Sequence, residues 1–441
     1  MRYKSYENYK NSNINYLPKL PSEWDIMNMK YLISDIQTGS TPSTKNEDYF
    51  NGNIQWFTPG DFTGKFLIKS NKTITDLAIN DNQVKLLKGG TVCIVGIGAT
   101  LGKVAILKNE SSFNQQVTGI STNEKLNNKY LYYWLLDNKE KINKIANYTT
   151  LPIINNEFLK NLKVFVPSIE EQEKIVEFLD KKTSEIDGLI NKKERLIELL
   201  KEKQEVLIRE AVTKGLDKNI KMKNSGIDWI GEIPENWDIS LLKYISHSDK
   251  YSIVDGPFGS DMKNEEYVDE GVPIIQLNNI GEGIHKFNNI KYITEQKAED
   301  LKRHTVYPGE IVIAKMMPAG RATIVSDRFD KYIISSDSIR LKLSNEYNYE
   351  FVMHCLNSYG KFEANINSTG STRSRINLSI IKNMKIAIPN KNEQDMIVNY
   401  LNKKLSILQE LNDQIWTQIK LLKEYRQSLI SELVTGKIDI R

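Results

Sequence analysis

VPSIEEQEKIVEFLDKK occupies residues 166–182, and IPNKNEQDMIVNYLNKK occupies 388–404. Each begins as the end of an apolar strand and reaches a proline, which disfavours helix at the residue before it. A polar capping residue follows, Ser168 or Asn390, with Glu171 or Glu393 three positions on, so each copy predicts a helix N-terminus. Glycines at 215 and 436 predict where the two helices stop. Between these limits apolar residues recur at heptad spacing: Ile175, Leu179, Ile186, Leu189, Leu196, Leu200 and Leu207 in the first copy. Ile397, Leu401, Leu408, Leu411, Ile415, Leu422 and Leu429 follow the same register in the second. A helix of about 45 residues is about 67 Å long. Two such helices with one shared seam predict an antiparallel coiled coil.

The repeat extends beyond the helices. Pro167 and Pro389 stand 222 residues apart, and the same offset carries Gln172 to Gln394, Leu200 to Leu422 and Thr213 to Thr435 without a gap. Upstream the offset is 213, pairing Trp24 with Trp237 so that PSEWD answers PENWD. The 441-residue chain is therefore a tandem duplication. Its expected organisation is an N-terminal segment (1–19), a first domain (20–166), a helical region with linker (167–232), a second domain (233–388) and a second helical region (389–441). The two domains consist of short apolar runs broken by Gly, Pro and Asn, such as GTVCIVGIG and GEIVIAKM, and predict mixed, mostly β structure. The fold class expected is α+β. The helices have kept their side chains while the domains have diverged.

Composition narrows the function. Mean hydropathy is −0.45, and the longest apolar stretch, around Cys93, is glycine-broken and about a dozen residues long, short of the ~20 that span a bilayer. No apolar leader follows the N-terminus, and the two cysteines, Cys93 and Cys355, sit in apolar runs, so a cytoplasmic protein is expected. Net charge is +4, and the helical segments carry slightly more acid than base, which leaves the positive charge on the domains. GIGATLGKV at 96–104 is not a phosphate loop: three residues separate Gly98 from Gly102 where four are needed, and Val104 replaces the Ser or Thr that would ligate magnesium. A base-amino methyltransferase would need an Asn/Asp-Pro-Pro-aromatic motif, and no Pro-Pro pair occurs. His247, His285, His304 and His354 lack metal-ligand spacing. The reading is of a recognition scaffold without catalytic residues or a metal of its own.

IGEIPENWD (230–238), GSTPST (39–44), DGPFGSDMK (255–263) and the proline-then-EQ helix starts resemble the specificity subunits of type I restriction–modification enzymes, in the family's order and from about Leu20 to the C-terminus. That resemblance implies two target recognition domains, each reading half of a bipartite double-stranded DNA target. It also implies that the helices dock two methyltransferase subunits, with two restriction subunits joining in full complexes. No cofactor is expected in this chain; S-adenosylmethionine, ATP and magnesium belong to the partners. The alternatives are a coiled-coil adaptor with no DNA role and the specificity module of a methylation-only system.

DNA reading needs basic groups for phosphates and Arg, Lys, Asn or Gln at base edges. Candidates in the first domain are Thr38, Ser40, Thr41, Lys45, Lys103, Asn114, Gln115 and Gln116; in the second they are Lys263, Gln276, Arg321, Ser336, Arg373 and Arg375. Lys103 and Arg321 both follow a glycine of the repeat, Gly102 and Gly320, which suits a shared phosphate contact. No arginine lies between Arg2 and Arg195, whereas the second domain has six, so more guanine readout is expected from the second half-site.

Overall fold

The structure, a computed structural model, describes residues 4–14, 17–146, 153–316, 318–366 and 375–441. Two helices dominate it, Ile169–Lys214 with 46 residues and Lys391–Val434 with 44. Gly215 and Gly436 end them at φ +70° and +69°, a backbone conformation that glycine adopts without steric cost. The capping residues act as the sequence predicts: Ser168 Oγ accepts from Glu171 N at 3.3 Å, and Asn390 Oδ1 from Glu393 N at 3.0 Å. The reciprocal half of a capping box does not form. Glu171 instead accepts from Tyr6 Oη at 2.5 Å, and Glu393 from Trp237 Nε1 at 2.9 Å.

The chain divides into two compact units, residues 1–194 with 416–441 and residues 195–415, so each unit contains a stretch of both helices. Within the first unit the two stretches run antiparallel: Arg426 Nε meets Asp187 Oδ1 at 2.9 Å and Lys423 meets Glu194 at 3.7 Å. Within the second, Ala211 and Val212 join Ile397, Val398 and Leu401 in one core. The inward seam differs in part from the sequence expectation. Ile186 and Ile190 are buried, whereas Leu189, Leu196 and Leu411 are 40% or more exposed. Adjacent apolar pairs such as Leu189–Ile190 and Leu196–Ile197 offer two registers, and the helices use the second member of each.

Each unit holds two larger sheets beside two-stranded pairs. In the first, a five-stranded sheet runs in the order Ile33–Thr38, Val117–Thr122, Val92–Val95, Val104–Leu107, Phe66–Leu67, and a three-stranded one pairs Ser112–Phe113, Phe50–Phe57 and Lys72–Ile74. The run TVCIV is buried on both faces, which is why it reads as continuously apolar. Val92 and Ile94 join the large core that also takes Trp24, Tyr130, Trp134 and Leu179, while Cys93 and Val95 face Phe57 and Phe113. In the second unit the order is Ile253–Asp255, Ser338–Leu341, Ile311–Ala314, Ala322–Ile324, beside a sheet of Lys291–Ile293, Val272–Ile275, Tyr332–Ile334 and Thr305–Val306. The strand before each long helix closes its domain by pairing with the strand that opens it: Lys163–Val166 with Asp25–Asn28, and Lys385–Ile388 with Asp238–Leu241.

The repeated tryptophans explain PSEWD and PENWD. Trp24 and Trp237 are fully buried. Trp24 and Pro21 lie against Gly436, and Trp237 and Pro234 lie against Gly215, so each supports the end of the helix that began in the other sequence repeat. Both cysteines are free and buried, and burial pushes the Cys355 thiol up to about 12. Among the described residues, no helix is long and apolar enough to cross a membrane.

Candidate nucleic-acid interface

The two main sheets end in the same way. In the first unit Thr38 lies opposite Thr118, Val117 opposite Val95 and Ile94 opposite Val104, so the loops at 39–46, 96–103 and 113–116 leave one edge together. In the second, Asp255 opposes Ile339, Ala314 opposes Ser338 and Ile313 opposes Ala322, which brings the loops at 256–263, 315–321 and 335–337 to the corresponding edge. GIGATLG is the loop of a β-hairpin, and Gly98 and Gly102 supply its positive φ angles.

Backbone hydrogen bonds match the edges position by position. Gly39 N donates to Val117 O and Gly256 N to Ser338 O, both at 3.0 Å. Gly96 N donates to Gln116 O at 2.8 Å, as Lys315 N does to Asp337 O at 2.9 Å. Ile154 N reaches Gly96 O at 2.9 Å, and Ile376 N reaches Lys315 O at 3.0 Å. Gly102 and Gly320 close their loops on Val95 O and Ala314 O at 2.8 and 2.9 Å. A side chain at position 39 or 256 would collide with the facing loop, since a Cβ there would stand 2.2 Å from Phe113 O or 1.8 Å from Ser335 O.

On this shared frame the first domain carries neutral polar groups. Thr38 Oγ1 bonds Thr118 Oγ1 at 3.1 Å and donates to Asn156 Oδ1 at 3.0 Å. Ser40 Oγ donates to Gln83 O at 2.6 Å, and Thr41 Oγ1 donates to Gln115 Oε1. Asn114, buried at 7% exposure, donates to Gln116 Oε1 at 3.1 Å and accepts from Gln116 N at the same distance. Thr41, Gln115 and Lys45 are exposed; Gln116 is half-buried. Lys103 Nζ reaches Phe62 O at 3.3 Å, at the end of the 3-10 turn that follows Phe50–Phe57.

The second domain carries charge at the same stations. Lys315, which the sequence analysis did not single out, is 8% exposed and holds its ammonium 3.0 Å from Asp255 Oδ1 and 3.2 Å from Ser336 O. Arg375 Nη2 donates to Asp337 Oδ1 at 2.8 Å, with the two side chains 47% and 33% exposed. Arg321 Nη2 donates to Leu277 O at 2.6 Å, in the 3-10 turn capped by Gln276, so Lys103 and Arg321 serve the same turn of their respective domains. Burial pulls the Arg321 pKa below its ordinary value, and its Nε is buried with no hydrogen-bond partner. The backbone N of Gln276 donates to Asn279 Oδ1 at 2.9 Å, as Thr58 N does to Asp61 Oδ2 at 2.7 Å. Lys263 is exposed in the loop at 256–263, and its backbone N donates to Glu266 Oε2 at 2.7 Å. Arg373 lies outside the described residues. Three further arginines are engaged elsewhere: Arg340 with Glu310 through two bonds of 2.8 and 2.7 Å, Arg303 over the Tyr251 ring and Arg328 over Phe287.

Two units with the same loop frame and different side chains on it are the arrangement of a reader with two separate targets. The family model described as the type I restriction modification DNA specificity domain matches residues 21–199 and again 257–421. The chain belongs to this family. Among its relatives are the MjaIX specificity subunit of Methanocaldococcus jannaschii, 27% identical over 96% of this chain and 95% of that one, and the EcoBI specificity subunit of Escherichia coli, 23% identical over 78% and 73%. Two solved chains share the fold. One, from work on assembly and conformational transition of a type I R-M system, has a TM-score of 0.71 at 17% identity, covering 95% of this chain and 99% of its own. The other, the HsdS subunit from Thermoanaerobacter tengcongensis, has a TM-score of 0.55 at 16% identity, covering 95% and 98%.

Proposed function

We propose that this type I specificity subunit reads a bipartite DNA target, one half-site at each strand-end frame, and docks two methyltransferase subunits on its helices. The observation that carries the reading is the matched pair of backbone frames. One shape built twice suits one task performed twice, and the different side chains suit two different sequences. Candidates in the loops of these frames support the reading: Lys45 and Lys263 are assigned to phosphates, and Gln115, Gln116, Ser336 and Arg375 to bases.

The docking surface is proposed on the outward face of the helices. In the second unit Leu196, Leu199 and Val206 of the first helix and Ile407 and Leu411 of the second are each 40% or more exposed, and in the first unit so are Leu189, Leu421 and Tyr425. In the second unit a groove of roughly 990 Å³ opens beside Val206, Ile284, Met353 and Leu405. Methyl transfer with S-adenosylmethionine, and any cleavage driven by ATP with magnesium, is assigned to the partner subunits, and this chain is proposed to be non-catalytic. Gel retardation tests the reading directly. The chain with a co-expressed methyltransferase should retard a specific duplex that the chain alone binds weakly; methyl transfer or cleavage by the purified chain alone would contradict it.

A further inference from the structure

We infer that the station formed by Gln116 and Ile153 in the first domain reads an A·T pair, and that the equivalent station formed by Asp337 and Arg375 in the second reads a G·C pair. The inference rests on the DNA reading proposed above and deepens it. The equivalence comes from the backbone: Gln116 O and Asp337 O accept from Gly96 N and Lys315 N, and Ile154 N and Ile376 N, the residues after Ile153 and Arg375, return to Gly96 O and Lys315 O. Each station therefore presents two side chains from two loops at one place on the frame.

Their chemistry differs in kind. Gln116 offers an amide, a donor at Nε2 and at Oε1 an acceptor that keeps one lone pair beside its 3.1 Å bond from Asn114 Nδ2, which is what the N7 acceptor and N6 donor of adenine require. Ile153, which holds the backbone position of Arg375, is 39% exposed and apolar, a surface for the thymine methyl group. Asp337 and Arg375 offer the other set: a guanidinium donating to the two acceptors of guanine and a carboxylate accepting from cytosine N4. The 2.8 Å bond between them fixes the arginine fork and leaves both groups part-exposed. Two other cations of the same sheet are committed internally, Lys315 to Asp255 and Ser336 O, and Arg340 to Glu310. A surface pair that stays accessible while its neighbours are buried in ion pairs is the group free to read.

The test is competition binding with duplex libraries, using the complex of the full chain with its methyltransferase subunits, for wild type, Arg375→Ala and Gln116→Ala. Arg375→Ala should lower discrimination at one G·C pair of one half-site by about tenfold to a hundredfold. Gln116→Ala should do the same at one A·T pair of the other half-site. Matching thermal unfolding of the three complexes establishes that the variants are folded. The inference is overturned if the folded Arg375→Ala complex relaxes an A·T pair or none, or if both variants relax the same half-site, while the wild type still selects a bipartite sequence. A wild-type complex that selects no sequence would overturn the DNA reading itself, and this inference with it.

Discussion

Single residues set how each frame is held and how it responds to its surroundings. His285 packs its ring 4.6 Å from Phe287 and 5.1 Å from Tyr332, and burial lowers its pKa to about 4. Its Nδ1 accepts from Ser326 N at 3.1 Å, a bond that protonation at that nitrogen would remove. The folded state therefore resists a proton that the unfolded chain takes near 6.5, so stability should fall as pH drops from about 6.5 to about 4. Melting curves across that range should show the loss, and His285→Asn, whose carbonyl oxygen can keep the Ser326 bond, should flatten it. Lys103 and Arg321 separate two roles. Lys103 makes one long carbonyl contact and keeps donors for phosphate, so Lys103→Ala should weaken all DNA sequences alike and reduce the salt slope by about one. Arg321→Ala should instead lower the stability of the second unit by about 1–2 kcal/mol in urea unfolding, because Leu277 O loses a charged donor. The arginine count in the sequence pointed to the second domain, but it could not separate Arg375 from Arg340, whose ion pair with Glu310 is closed to solvent.

At the scale of the element, the repeated EQ of the helix starts has a physical reason. Gln172 is fully buried; its Nε2 donates to Pro167 O and Lys125 O, both at 3.0 Å, and its Oε1 accepts from Asn127 N at 2.7 Å. Gln394 repeats this with Pro389 O at 2.9 Å and Asn348 N at 2.8 Å. One amide thus ties the start of each long helix to the loop that opens the preceding domain helix. Gln172→Ala should destabilise the first unit by roughly 2–4 kcal/mol, since it leaves buried backbone groups without partners; an unchanged urea midpoint would show that water replaces the amide. The helices were legible in the sequence because cap, period and terminal glycine agree in both copies. Which of Leu189 and Ile190 faces inward was not, because both are apolar and the packed partner decides. The β frames were hidden for a different reason. Their equivalence lies in backbone bonds such as Gly96 N to Gln116 O, which place no demand on side-chain identity. The loops also differ in length, with seven steps from Val95 to Gly102 and six from Ala314 to Gly320, and this displaced Lys315 from any simple offset.

For the whole molecule, the duplication divides the work. Glycine-ended helices, buried tryptophans and glutamine ties are kept alike in both repeats, and the strand-end loops are free to differ. This accounts for sequence identity concentrated in the helices and for two units in which the four strands of one sheet, Ile33–Thr38, Val117–Thr122, Val92–Val95 and Val104–Leu107, are matched in order by Ile253–Asp255, Ser338–Leu341, Ile311–Ala314 and Ala322–Ile324 around different residues. Under the proposed function each domain determines its own half-site independently. Methylation mapping tests it in a host that carries this chain with its methyltransferase partner, before and after residues 20–166 are replaced by the corresponding segment of a relative with a different target. The account predicts a bipartite motif in which one half-site changes to the relative's and the other keeps every letter. An active complex in which both half-sites change, or neither does, would contradict it.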